Sequence, residues 1–531
     1  MPPKPKPKAD SAVANALAGN RLNTRHIMFA MASAVAPLTV AAGVFPSSIG
    51  ISGLLGIPIA IAAMGLLVLL WSEGYLAMGR RILNAGAIYA YAAQGLGRPI
   101  GVGVAWVALA GYTAFQVASY GGFGYIAAAL LHEWTGWEVH WFGQRDVSWV
   151  VLALAAWLLV AVLGVLDVGV PAQVMLRLAV AEMILVVAYD VAIVLAPGFH
   201  LSTAPLSLGN LWGPGAGALI VVAMTAYAGG EQGAGFIEES HDPQRTVPRA
   251  TRGIIIAVGA LFFASSWIQI SAGGPQVAAR AAEEGPDLFF NEAASVLGPA
   301  ALHIGHVLFL TSMLAAAIAF HQAFCRYGFA LGRERVLPQS FGRTSSKGAP
   351  RNASLVQSAL GLATILVWLV MGWKPLEQLF FWGGTSGGLA VLLLFTVASL
   401  SVIGYFLRRR RAHAAAKKND PSTGPETDPE HWWRAYLAPS IAAIVLAVVS
   451  VVAIDSLPLL YGVNPGTGPA LVVPLAFAVI FAAGAVWALI LRWHQPLVYQ
   501  GIGLGTGSQA AGPGGLAQTP GVHSARTGAH R

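Results

Sequence analysis

Twelve apolar runs along this chain are each long enough to cross a lipid bilayer, and nothing else in it constrains the fold as tightly. The hydrocarbon core is about 30 Å thick, so a helical span needs roughly 20 mostly apolar residues. Read with that window, the runs fall at 27–49, 52–78, 99–131, 147–167, 172–196, 217–236, 250–272, 300–330, 353–373, 378–407, 436–456 and 469–493. In hydrocarbon each backbone polar group must be satisfied within its own segment, which favours helices. Only 10% of the 531 residues are charged, against about 25% in soluble globular domains. So few charges cannot cover a soluble surface of this size. The expected fold class is an all-α polytopic membrane protein with twelve transmembrane helices embedded in a lipid bilayer.

The net charge of +8 comes from short basic blocks between apolar runs, which argues against a nucleic-acid partner. With the N-terminus inside, every one of the 31 Lys and Arg residues except Arg145, Arg280 and Lys374 falls on the cytoplasmic side. That segregation follows the positive-inside rule and puts both termini in the cytoplasm. The Pro/Lys-rich opening has no apolar core of a cleavable signal, so the first run is expected to start insertion. Cys325 is the only cysteine, which excludes an intrachain disulfide.

Two runs contain helix-breaking residues deep inside the membrane. The first reads MASAVAPLTVAAGVF, with Pro37 and Gly43 around Thr39; the sixth reads MTAYAGGEQGAGF, with four glycines around Glu231. Non-helical backbone is tolerated at that depth only where protein buries it or a cavity adjoins it. Gly and Pro in membrane helices also serve close packing, and for the first run that reading weighs equally. Breaks at the first members of two five-span sets point to an inverted-repeat transporter with its site at the repeat interface. Freed amides there would take a carboxylate and freed carbonyls an ammonium.

Residues 227–251, YAGGEQGAGFIEESHDPQRTVPRAT, resemble the sixth-span signature of the amino acid–polyamine–organocation superfamily of permeases. NAGAIYAYAAQGLGRPIGVGVAW, from Asn84 to Trp106, is similar to the loop and third span of that family, and RYGFALGRERVLP, Arg326 to Pro338, to the inner end of its eighth. The resemblance implies a five-plus-five inverted-repeat core with discontinuous helices 1 and 6, two peripheral helices, and transport of amino acids or related amines. The implied division is a basic tail at 1–25, repeats at 26–196 and 217–407, a basic loop at 408–435, the last two spans at 436–493 and an unstructured cytoplasmic tail at 494–531. The two breaks make Ala36, Pro37, Thr39, Tyr227, Gly229, Gly230 and Glu231 the candidate substrate-binding residues, and the charge pattern of Glu238, Glu239 and Asp242 near Arg245 and Arg249 fits an intracellular gate about as well as a solvated helix end. The sequence departs from the family pattern twice. Ala36-Pro37-Leu38-Thr39 replaces a Gly-Ser/Ala-Gly run, and Gly230 replaces an aromatic lid, leaving Tyr227 for that part.

An intramembrane acid is costly and is a functional candidate by default. Glu182 and Asp190 in the fifth run are the candidates for coupling, with a proton as the coupling ion, since a desolvated carboxyl is easier to protonate. A protonated acid bonded to a neighbouring helix is the structural alternative. Glu231 fits either a hinge or a contact for a substrate amine. His321 reads as packing more readily than as a proton relay, and His303 with His306 lacks a third metal ligand, so no metal is expected. No HExxH or Walker A motif occurs, and the Gly-rich tail lacks the strand and helix of a dinucleotide site. Neither enzyme activity nor a cofactor is expected. The expected function is secondary active import of amino acids or amines across the plasma membrane; an exchanger or a transporter-like sensor shares the same features.

Overall fold

The computed structural model describes residues 17, 22–141, 145–166, 169–345, 348–420 and 429–505. The Pro/Lys-rich start, Lys347 and everything beyond Gly505 lie outside them. The described residues form seventeen α-helices, and their only strands are a two-residue pair, His140–Trp141 with Arg145–Asp146. In chain order the helices are α1 (Thr24–Val35), α2 (Phe45–Ser52), α3 (Ile57–Gly79), α4 (Ile88–Gly95), α5 (Arg98–Thr135), α6 (Ser148–Val165), α7 (Gly169–Val194) and α8 (Ala216–Thr225). There follow α9 (Pro243–Gly273), α10 (Val277–Glu284), α11 (Asp287–Leu297), α12 (Pro299–Arg333) and α13 (Arg351–Met371). The last are α14 (Trp382–Asn419), α15 (Ala438–Tyr461), α16 (Gly468–His494) and α17 (Pro496–Gly501). Among the described residues, ten helical stretches are long and apolar enough to cross a membrane, with α1 and α2 counted as one. The fifth run becomes the 26-residue α7, and the sixth becomes α8 followed by a break.

The long α5 is the axis of the bundle. It packs along α12, α14, α16 and α6, while α1 lies against α7, α9 and α12. Without water to drive helices together, such contacts depend on close backbone approach at small residues. Gly103 of α5 meets Gly484 of α16: a Cβ on Gly103 would stand 2.7 Å from the Phe481 carbonyl, and one on Gly484 would stand 2.9 Å from the Gly103 Cα. Aromatic stacking locks a second seam, where Trp71 of α3 lies 4.2 Å from Phe395 of α14 and donates to its carbonyl.

Three boundaries differ from the sequence expectation. Helix α9 begins at Pro243 rather than near 250, so Pro248 sits inside it. Helix α14 runs through Arg408–Arg411 to Asn419, because the RRRRAHAAAKKN segment is rich in strong helix formers. The chain after the twelfth run is not loose at first: α17 and the residues to Gly505 pack onto the bundle, with Ile502 1% exposed. Composition alone suggests a flexible tail; buried hydrogen bonds, described below, order its beginning.

Candidate functional site

The first break begins with Pro37. A proline disfavours helical geometry in the residue before it and removes a helix donor. Ala36 accordingly takes a left-handed conformation (φ 52°) and ends α1. The chain resumes as a π-helical stretch, Thr39–Val44, before α2. The Thr39 N–H and hydroxyl both donate to the Ser312 hydroxyl on α12, at 3.2 and 2.9 Å. Ser312 in turn donates to Glu182 Oε2 on α7 at 2.7 Å. Glu182 is fully buried, so an intramembrane acid sits one hydroxyl away from the broken helix. Asp190 reaches the same break by a longer route. Ser265 of α9 donates to its carboxyl (3.1 Å), and Gln269 donates both to Ser265 and to the Ala41 carbonyl, each at 3.1 Å.

The second break opens after Thr225, where the chain turns through Ala226–Glu231 and enters a 3₁₀ stretch, Gln232–Glu239. Gly229 makes this possible, since its φ of +104° suits only glycine and a Cβ would lie 2.6 Å from the Ala34 Cβ. The two breaks therefore touch, Gly229 against Ala34. The Gly229 N–H donates to Glu231 Oε2 (2.8 Å), Tyr112 donates to Oε1 (3.3 Å), and Tyr75 donates to the Glu231 carbonyl (2.5 Å). The Tyr227 hydroxyl points to the Ile61 carbonyl of α3 (2.9 Å), and Gly230 neighbours Ile255.

A cavity of about 160 Å³ lies between the breaks. Its walls include Ala34, Ala36, Thr39, Ala226 and Ala228 near the breaks, and Phe115 of α5 with Phe320 of α12, whose rings stack at 4.5 Å. Of the expected binding residues, Ala36 and Thr39 line it, whereas Pro37, Tyr227, Gly229, Gly230 and Glu231 do not. Glu231 instead borders a second, tight void with Tyr112, Arg326 and Tyr327. No Asp, Glu, Lys, Arg or His among the described residues lines the main cavity. From the breaks it runs toward Ser47, Ile51 and Phe381, at the end of the bundle opposite the arginine-rich one.

The arginine-rich end, called the basic end below, is sealed. Glu239 pairs with Arg326 of α12 through two hydrogen bonds (2.7 and 3.1 Å). Glu238 pairs with Arg333 of α12 (2.7 Å twice) and accepts from the Ala85 N–H (2.8 Å). Phe236 lies under the Arg326 guanidinium at 4.0 Å. The segment before α1 joins the seal, as the Leu22 N–H donates to the Glu239 carbonyl (3.0 Å) and the Leu22 carbonyl accepts from the His241 N–H (3.1 Å). The two acids expected to gate are thus brought together with Arg326 and Arg333. Those arginines lie in the Arg326–Pro338 motif, but no rule of spacing names their partners. Ser312 leaves no signal in the sequence, being one small polar residue in an apolar helix. Elsewhere, His321 is buried between Gln116 (3.1 Å) and Ser354 (2.9 Å), and His306 meets Asp287 at 2.8 Å.

Comparison with known proteins gives the family. The amino acid permease family model matches residues 26–502. A branched-chain amino acid permease of Lactococcus lactis is 24% identical over 340 residues, 62% of this chain and 69% of its own. A probable GABA permease of Pseudomonas aeruginosa is 24% identical over 459 residues, 83% of this chain and 88% of its own. With two broken helices meeting over an uncharged cavity and a match spanning nearly the whole described bundle, the chain belongs to the amino acid permease family and is a multi-pass membrane protein of amino acid transport rather than an enzyme.

Proposed function

We propose that the protein is a secondary active importer of amino acids with uncharged, apolar side chains, driven by a proton carried on Glu182. In this reading it has twelve spans, with residues 26–196 and 217–407 as two five-span halves of inverted topology. It sits in the plasma membrane with its basic end and both termini in the cytoplasm, and it alternates access around the cavity between the breaks. The observation that carries the reading is the chain from cavity to buried acid: Thr39, on the cavity wall, is bonded to Ser312, and Ser312 to Glu182. Protonation of Glu182 changes what Ser312 donates to, and Ser312 holds the first residue of the π-helical stretch. One proton can therefore bias the shape of the substrate cradle.

The lining supports the substrate class. A charged side chain placed in this cavity meets no opposite charge and loses its hydration, whereas burying an apolar one gains about 1.5–3 kcal/mol. The N–H groups of Ala36, Ala226 and Ala228 donate to the carbonyls of Ala32, Val222 and Thr225, so the α-carboxylate and α-ammonium engage the backbone of the breaks as those turns rearrange around the substrate. A relative named for branched-chain substrates fits this selection. Tyr227 and Glu231, turned toward α3 and toward the tyrosines, support the hinge. Glu238 and Glu239, paired with Arg333 and Arg326, close the cytoplasmic gate. Asp190 serves as a secondary coupling acid through Ser265 and Gln269.

Uptake by proteoliposomes with an imposed pH gradient tests this. Leucine and phenylalanine should accumulate when the outside is acid, and lysine, glutamate and putrescine should not compete. Glu182→Gln, which keeps shape but cannot exchange a proton, should lose accumulation and keep leucine exchange. Ser312→Ala should cut pH-driven uptake roughly tenfold, the loss of one strong buried hydrogen bond. Wild-type accumulation by Glu182→Gln, or uptake driven by sodium alone, overturns proton coupling. Flux that requires substrate on the far side identifies an exchanger, and binding without flux identifies a sensor.

A further inference from the structure

The buried carboxylate of Glu334 belongs to no part of the transport cycle described so far, yet it accepts four hydrogen bonds at the basic end. It follows α12 directly and is 2% exposed. Each of its oxygens accepts two hydrogen bonds. Oε1 takes Asn84 Nδ2 and the Gly505 N–H, both at 2.8 Å; Oε2 takes the Tyr89 hydroxyl at 2.5 Å and the Gly503 N–H at 2.6 Å. Two donors thus come from the bundle, at the loop before α4 and on α4, and two from the glycines that end the described chain.

The glycine segment is shaped for this place. Gly503 has a φ of +80°, and a Cβ on it would stand 2.7 Å from the Ala93 Cβ of α4. Gly505 has a φ of +61° and lies beside Asn84 and Arg333, with an added Cβ 3.3 Å from Arg333 Nη2. Three further contacts hold the approach: Gln94 donates to the Gly503 carbonyl (2.7 Å), Arg98 donates to the Gln500 carbonyl (3.0 Å), and the Arg98 guanidinium covers the Tyr499 ring at 5.3 Å. Side chains other than glycine at 503 would be excluded by both backbone and packing.

We propose that the segment Pro496–Gly505 is a latch on the gate at the basic end, holding it shut by completing the Glu334 carboxylate site. This deepens the transport reading above and rests on it. The groups latched are those that must part when that end opens. Asn84 and Tyr89 belong to the first half of the chain, Glu334 and Arg333 to the second, and Arg333 also holds Glu238 of the second break. Withdrawing the two glycine amides leaves a buried carboxylate with half of its donors, which favours hydration of the site and separation of the halves. The latch therefore sets the balance between the closed and open states of this gate, and release of the terminal segment is a way to shift it.

The test places a reporter in the tight void behind the gate. Ala323→Cys, on that void's wall with Glu231, Arg326 and Tyr327, is built in a Cys325→Ser background, and its rate of labelling by a membrane-permeant maleimide is measured on full-length protein in detergent. Adding Gly503→Val should speed labelling roughly tenfold, and adding Arg98→Ala about threefold, within the usual range of a conformational coupling. Should Gly503→Val aggregate, Arg98→Ala, which removes only the contacts to Gln500 and Tyr499, decides the question alone. Rates within about twofold of the reporter protein in the folded variants overturn the latch. Labelling needs no substrate, so the two readings fail separately. Unchanged rates beside normal leucine uptake remove the latch and leave the transporter; faster rates in a protein without flux keep the latch and remove the transporter.

Discussion

The two ends of the helix bundle are braced in opposite ways. At the basic end, buried charges join parts of the chain far apart: Arg326 to Glu239, Arg333 to Glu238, and Glu334 to Asn84. At the end toward which the cavity runs, ion pairs are local: Arg280 to Glu284, one turn away, and Lys374 to Glu377. Bridging pairs hold two bodies in one relation and are lost together when the bodies part. Local pairs stiffen one piece and travel with it. The difference teaches which end the structure has shut by assembly, and which it can move as preformed parts.

The largest test of that contrast is the loss of one bridging partner. Arg326→Ala leaves Glu239, 1% exposed, without its guanidinium, and breaking a buried pair costs about 3–5 kcal/mol. Leucine uptake should fall more than roughly a hundredfold. Arg280→Ala at the other end, where the side chain is 33% exposed, should change uptake by less than about threefold, since exposed pairs contribute about 0–1 kcal/mol. Equal effects of the two variants, measured in the same proteoliposomes, would break the contrast.

Between the ends, the contact of the two breaks should respond nearly as strongly. Gly229→Val forces a β-branched residue to a φ of +104° and drives its Cβ to 2.6 Å from that of Ala34. The breaks must separate or the turn must rearrange, a strain of about 1–3 kcal/mol before any clash. Uptake should drop at least about tenfold to a hundredfold while membrane insertion, read by protease protection, stays intact. Wild-type uptake would mean that the two breaks are not coupled.

The smallest effect sharpens the picture of the locally braced end. Burial pushes the Glu292 carboxyl up to about 8; Arg280 opposes this, while Glu284 and Asp190 add to it. The unfolded chain gives up this proton at lower pH than the folded one. Stability therefore falls as pH rises from about 4.5, the ordinary value, through about 8. Glu292→Gln removes the titration, so the melting temperature of the variant should gain on wild type by a few °C between about pH 5 and pH 8. The Tyr189, His306 and Asp287 side chains also pack around this helix, so the paired double variant with Arg280→Ala measures their joint background. A pH-independent difference would show that Glu292 is not the titrating group.

Legibility is uneven along the chain. The breaks at Pro37 and at Gly229 can be read from the sequence alone, because proline and glycine act on the backbone locally. The acids Glu182 and Asp190 stand out because charge in hydrocarbon is rare. Their partners do not: Ser312, Ser265 and Gln269 are ordinary polar residues on other helices, and only packing aligns them. The same holds for orientation. Tyr227 is an aromatic residue beside a break, yet its hydroxyl is taken by the Ile61 carbonyl. Glu231 lies within the break, yet its carboxyl turns to Gly229 and Tyr112 and away from the main cavity. The start of the C-terminal tail misleads for a related reason, since glycine-rich composition signals flexibility unless a buried acceptor such as Glu334 awaits its amides.

By itself, then, the sequence determined that the chain is a helical membrane protein, where its helices break, and which acids are buried at a cost, since span length, proline geometry and desolvation depend on residues near in sequence. Only the tertiary structure decided that Ser312 links Glu182 to Thr39, that the cavity wall carries no charge, and that the amides of Gly503 and Gly505 complete the Glu334 site. Each of these joins segments tens to hundreds of residues apart, and a hydrogen bond is decided by distances of a few tenths of an ångström that only the packed bundle sets.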